Sequence, residues 1–194
     1  MHGLSEVKRH LRPGQVYRRA DLKRWSNAVD RHLRQLQAEG TLSKLSGGLY
    51  YASKVTEFGR TPPGDEAAVR AFLRDDRFLL SSPNAYNVLG VGATQLYNQT
   101  VVYNHKRHGT FTLGGRTFDF RMKPRFPASL SEEFLLVDLL NNLSRVAEDR
   151  DRLLGRLRAK AATMDRPKLT RAAREFGGVR ARKFVAEAAG ATIH

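Results

Sequence analysis

The chain has 194 residues, 34 lysines and arginines against 19 acids, and a formal net charge of +15, a balance that attracts polyanions rather than basic partners. It has no cysteine, which excludes disulfides, thiolate metal sites and cysteine nucleophiles. The first residues, MHGLSEVKRHLRPG, lack the apolar core of a signal peptide, and no stretch approaches the ~18–20 apolar residues of a membrane span, so a cytoplasmic protein with no membrane contact is expected.

In chain order, Leu4 to Leu11 reads as a first helix with Leu4, Val7 and Leu11 on one face, broken by Pro13-Gly14. A short strand leads into a short helix, Arg19 to Trp25, with Trp25 expected in the core. Ser26 is placed to cap a second helix running to Glu39, and Gly40 to end it in the left-handed conformation. Leu42 to Ala52 reads as a hairpin around Gly47-Gly48. Helix, helix, hairpin is the order of a winged helix-turn-helix, which lays its second helix in the DNA major groove.

The second helix has two faces. Val29, Leu33 and Leu36 form an apolar stripe at i, i+4, i+7. Asn27, Arg31 and Arg34 repeat that spacing from two residues earlier, about 200° round the helix. Asn pairs two-pronged with adenine and Arg with guanine, so Asn27 and Arg31 are expected to read bases, with Arg34 reading or bracing and Ser26 at the helix start. Lys23, Arg24 and Lys44, the last in the wing, are expected to grip phosphates. Many small domains contain a capped amphipathic helix with a charged outer face; the preceding helix and the following hairpin favour DNA here. Residues 1–60 carry 12 basic and 5 acidic residues, net +7, against +4 for 61–128 and +4 for 129–194.

Residues 1–55 are thus expected to form the DNA-binding domain. Residues 56–65, with two glycines and two prolines, are expected as a linker. Residues 66–194 are expected as a second, mixed α/β domain, which makes the whole α+β. Within it, Asp65 caps a helix over 66–73 that turns Ala68, Phe72 and Val69 inward. Leu79 to Ser82 is extended, and Pro83 starts a helix Asn84 to Leu89 that Gly90 ends. Gln99 to Tyr103 is β-rich. Beyond a Gly114-Gly115 turn, Phe118, Phe120 and Met122 alternate with Asp119, Arg121, Lys123 and Arg125. That alternation predicts a half-buried strand with a basic outer face, on which Arg121, Lys123 and Arg125 either meet a partner or are simply solvated. Ser131, Glu132 and Glu133 suit the start of a long apolar helix over 132–147, with Leu136, Leu139 and Leu143 buried. Leu153, Leu154 and Leu157 continue the apolar pattern, and two more short helices, Leu169 to Phe176 and Val179 to Ala189, complete the chain.

No catalytic constellation emerges. His105 and His108 flank Lys106-Arg107 with no carboxylate near them in sequence, which suits an exposed basic loop better than a metal site. Ser81-Ser82 lack a G-x-S-x-G elbow, and the glycines of 109–115 lack the order of a nucleotide cradle. Glu148, Asp149 and Asp151 interleave with Arg150 and Arg152 as on a solvated helix. A DNA-binding protein without enzymatic activity, metal or cofactor is expected.

Several short motifs in order add to this reading: Gly48-Leu49-Tyr50-Tyr51, Phe58-Gly59, Pro83-Asn84-Ala85 with Leu89-Gly90, and Phe118-Asp119-Phe120. With these the chain resembles, over about residues 26–125, the AbiEi-type antitoxins of type IV (abortive infection) toxin–antitoxin systems, and within them the short branch. The resemblance implies an N-terminal winged helix that represses the cell's own toxin–antitoxin operon. It also implies a second domain that neutralises a nucleotidyltransferase-like toxin, with or without a stable complex. A second class of function is a protein-interaction module whose basic second domain binds an acidic toxin surface, the winged helix serving as scaffold.

Overall fold

A computed structural model of the protein describes residues 3–57, 59–93 and 99–190. It is α+β, with helices and antiparallel strands in two compact units. The first unit holds residues 1–76 and 109–118, the second 77–108 and 119–194. The division therefore falls after Asp76 rather than at the expected linker. Residues in that linker instead pair as a hairpin, β4 (Lys54–Thr56) with β5 (Gly59–Thr61). Phe58, one of the residues carrying the resemblance, lies outside the described residues.

The first unit begins with α1 (Leu4–His10), β1 (Val16–Arg18) and α2 (Arg19–Leu22), which tightens into a 3-10 turn over Lys23–Trp25. There follow α3 (Val29–Ala38), β2 (Leu42–Ser46) and β3 (Leu49–Ala52). The three strands make an antiparallel sheet in the order β1-β3-β2. Gly48, at φ 72°, makes the left-handed turn between β2 and β3. One apolar core joins the helices to the sheet: Val7 from α1, Leu22 from α2, Val29, Leu33 and Leu36 from α3, and Leu42, Tyr50 and Ala52 from the strands. Trp25 is half-buried against this core and stacks on His10, with 4.4 Å between ring centroids. Helix α4 (Asp65–Leu73) belongs to this unit. It turns Ala68, Val69 and Leu73 inward, and the Arg18 guanidinium of β1 donates to the carbonyls of Ala71 and Phe72 near its C-terminus.

Of the four strands β6 (Phe78–Ser81), β7 (Thr100–Asn104), β8 (Gly109–Leu113) and β9 (Arg116–Met122), the hydrogen-bonded order is β6-β7-β9-β8. The second unit takes β6, β7 and the end of β9. It adds α5 (Glu132–Asn141), α6 (Arg150–Thr163), α7 (Arg166–Phe176) and α8 (Val179–Gly190). Ser131 caps α5 by accepting from the Phe134 amide, and Asp149 and Asp165 cap α6 and α7 the same way. Every residue of α5 from Phe134 to Leu140 is buried, the mark of a helix surrounded on all sides. Helices α7 and α8 pack on it directly and α6 packs on both of them. Leu136 and Leu139 are wholly buried and Leu143 nearly so, as their spacing predicts. The helix ends at Asn141, short of the expected 147, and a 3-10 turn carries the chain through Leu143–Arg145. The segment 84–89 is likewise a 3-10 turn over Ala85–Leu89, ended by Gly90 at φ 65°.

Strand β9 departs from the expected alternation. Phe118 and Phe120 are buried, but so are Asp119 and Arg121, while Met122 is 55% exposed. Both faces of the strand are therefore covered, and the face predicted to be basic and wet holds a buried ion pair.

Candidate nucleic-acid interface

Helix α3 is built two-sided. Val29, His32, Leu33 and Leu36 face the core. Asp30, Arg31, Arg34, Gln35 and Ala38 face solvent. Asp30 lies among the cations of this face and is held by Arg19 of α2 through two short bonds, Nε to Oδ1 at 2.7 Å and an NH2 nitrogen to Oδ2 at 2.6 Å. This fork keeps the Asp30 carboxyl below its ordinary range, with Arg34 adding a weaker pull in the same direction. The pair cancels the one carboxylate at the start of the helix and leaves Arg31 and Arg34 as the charge the face presents. At the other end, Gln35 donates to Glu39 at 3.2 Å, and Gly40 takes φ 70°, so the helix stops in the left-handed glycine turn that its sequence predicts.

The site residues named from the sequence divide into three groups. Lys23 and Arg24 are exposed on the 3-10 turn before α3, with Arg24 lying over the Trp25 ring at 5.7 Å. Arg31 and Arg34 on α3 and Lys44 on β2 are exposed, and these five lie in the first unit. Asn27 is exposed but precedes α3, which starts at Val29 after Ala28, so it does not share a helical face with Arg31. Ser26 is a correction. It is buried and does not cap α3, whose N-cap is Ala28 without a side-chain bond. Its hydroxyl lies 2.7 Å from His32 Nδ1 and accepts the Ala28 amide at 3.2 Å. Ser26 therefore ties the turn before α3 to the inner face of the helix and is withdrawn from any ligand.

Three features of this face escape a reading by residue type. Gln35 sits one turn beyond Arg31 at i+4, a spacing visible in the sequence once Asn27 is off the helix. His32 occupies i+3 on the apolar stripe, which signals a buried position. Nothing local indicates the Arg19–Asp30 pair, whose partners are eleven residues apart in different elements.

The three basic residues proposed for a partner on β9 and beyond do not act together. Lys123 and Arg125 are exposed. Arg121 is buried: it bonds Asp119 at 2.9 Å, the Asn142 side-chain oxygen at 2.9 Å and the Tyr103 hydroxyl at 3.3 Å. Arg145 reaches the same Asp119 oxygen at 2.7 Å. Beside them lies Asp138 of α5, which accepts from the Tyr103 hydroxyl at 2.5 Å, the Tyr86 hydroxyl at 2.8 Å and the Asn142 amide at 3.1 Å. Burial pushes the Asp138 carboxyl up, against the pull of the two tyrosine donors and Arg121. Both carboxylate oxygens of Asp138 are met by donors, which is what a buried carboxyl group requires to be stable.

His105 and His108 are exposed, and His105 pairs with the Lys123 carbonyl at 2.9 Å and stacks on Phe126. Among the described residues no group of three or more His, Asp or Glu side chains is placed to hold a metal ion. No helix among them is long and apolar enough to cross a membrane.

No protein-family model matches the chain, and no curated protein matches it either. Among solved structures it is similar to the RV2827C protein from Mycobacterium tuberculosis, at 17% identity and a TM-score of 0.58, over 95% of this chain and 74% of that one. At that identity the likeness is one of fold, an α+β arrangement shared along nearly the whole chain.

Proposed function

We propose that the protein is a DNA-binding transcriptional regulator of the cell interior whose residues 1–55 form a winged helix-turn-helix. The observation that carries this reading is α3: buried on one side against a three-helix, three-strand core, and presenting Arg31, Arg34 and Gln35 on the other. The order helix, strand, helix, helix, hairpin supports it, with the β2–β3 hairpin as the wing carrying Lys44. In this reading Arg31, Arg34 and Gln35 address base edges, since Arg suits guanine and Gln suits adenine. Lys23, Arg24 and Lys44 grip phosphates and set the register, and Asn27 meets the duplex from the turn before α3.

The test is titration of the full chain against duplex DNA from its own upstream region. Arg31→Ala is expected to cost about 1–3 kcal/mol of binding and to relax preference at one base position. Lys44→Ala is expected to weaken all sequences alike and to lower the salt slope by about one. A folded protein that binds no upstream duplex at low salt discards the reading, and sequence-blind losses from both variants remove Arg31 from base reading.

The resemblance to AbiEi-type antitoxins supports a second role, neutralisation of a nucleotidyltransferase-like toxin by the remainder of the chain. Arg121 is inside, so of the three basic residues proposed for it only Lys123 and Arg125 stand open to a partner. Coexpression with a nucleotidyltransferase-like toxin measures this role directly. Rescue of growth is expected, and failure of the folded protein to rescue leaves a regulator alone.

A further inference from the structure

Basic residues are not spread evenly through the second unit. Residues 150–190 hold 12 lysines and arginines against 4 acids, net +8, more than half the charge of the whole chain in about a fifth of its length. Residues 129–149 hold one arginine against five acids, so a count over 129–194 conceals the concentration. Helices α6 to α8 carry it on their outer surfaces.

Helix α7 concentrates it further. Leu169, Ala172 and Ala173 turn inward. Arg166, Thr170 and Arg174 recur every fourth residue on the exposed side, with Pro167 and Arg171 beside them. These five residues line an open depression of about 320 Å³. Successive members of the row stand ~6 Å apart along the helix axis, at 1.5 Å per residue. Arg171 pairs with Glu175 at 3.2 Å. Among the described residues, Arg166 and Arg174 have no carboxylate within ion-pair reach.

We propose that this outer face of α7 is a second nucleic-acid surface, one that grips the phosphate backbone of duplex DNA without reading its bases. The side chains favour phosphate. A guanidinium offers a planar fork of donors that a phosphate accepts two at a time, and the Thr170 hydroxyl adds a further donor. The face lacks the buried anchors that an acidic protein partner would use: no aromatic and no large aliphatic side chain lines the depression. A row of cations at regular spacing, open along its length, suits a repeating polyanion. The assignment stands apart from the reading of α3, since it requires no base contact and involves another unit.

The experiment uses the full chain and a random-sequence duplex, so that operator recognition by α3 plays no part. Arg166→Gln, Arg171→Gln and Arg174→Gln are combined, and affinity is followed against salt. The triple variant is expected to lose about tenfold or more in affinity at low salt, with the log–log salt slope falling by about three. The single Arg174→Gln is expected to lower the slope by about one and serves if the triple variant fails to fold, which circular dichroism reports. A double variant of α3, Arg31→Ala with Arg34→Ala, is expected to keep the α7-dependent part of the slope while losing operator preference. A folded triple variant with wild-type affinity and slope overturns the proposal. So does polyglutamate competing as well as duplex DNA, charge for charge, because the face then serves acidic protein chains.

Discussion

Asp138 is a carboxyl group that the fold places inside, in the middle of α5. A carboxylate in the middle of an apolar helix is costly to bury unless every lone pair is met. Here Tyr86, Tyr103 and Asn142 supply the donors, and Arg121 stands one hydrogen bond further on. Burial still outweighs them, so Asp138 titrates above the ordinary carboxyl range. Because the folded value lies above the unfolded one, the stability linked to this group is fully present below the unfolded value and is lost as pH rises through the folded value. The carboxyl-carbon resonance of Asp138 is expected to titrate with a raised midpoint, and Asp138→Asn to remove this part of the pH dependence of unfolding. A midpoint at or below that of an exposed aspartate would show that the donors dominate instead. Ser26 carries the opposite lesson at the same scale. Its residue type suits a cap, but His32 folds back within hydrogen-bond reach and claims the hydroxyl.

At the scale of elements, the apolar positions of α3 are where their spacing places them, because burial selects one side of a 3.6-residue repeat. The start of the helix is less legible. Ser26 and Asn27 both suit a helix entrance, yet the first helical residue is Val29. Ser26 bonds the Ala28 amide and His32 in an extended turn, and that moves Asn27 off the reading face. Strand β9 misleads in another way. A period of two implies one wet face only when one side of the sheet is bare. Asp119 and Arg121 lie on a covered face, where they pair with each other and bond Arg145 and Asn142. The expected linker, rich in turn formers, instead contributes to a hairpin of Lys54–Thr56 with Gly59–Thr61, to which Thr56 and Thr61 add side-chain bonds to the Gly59 and Lys54 carbonyls.

For the whole molecule, the two units differ in what they need. The first has its own core, drawn from residues between Val7 and Ala52. The second assembles around α5, and its largest apolar cluster joins Tyr86, Leu89 and Val91 to helices α5 to α8. Ending the chain after residue 128 removes those helices and exposes the partners they cover. Amide exchange is expected to become fast across 77–93 and 99–108, while protection around Leu33, Leu36 and Tyr50 persists. Unchanged protection in 77–108 would show that the strands hold together without α5.

The sequence by itself determined what depends on neighbours along the chain. The helix spacings of Val29, Leu33 and Leu36 and of Leu136 and Leu139, the left-handed turns at Gly40, Gly48 and Gly90, and the Ser131 cap all involve residues within about one helical turn, where local geometry decides. The excess of arginine over acid was equally plain, although its concentration on the outside of α7 emerged only once the helix's buried side was known. Tertiary structure decided the rest. Whether Arg121 is a surface cation or an interior one depends on Tyr103, eighteen residues away, and Asn142, twenty-one away. Tyr86 meets Asp138 across fifty-two residues of chain. Such partners are chosen by which surfaces the fold buries together, and residue spacing along the chain carries no record of that choice.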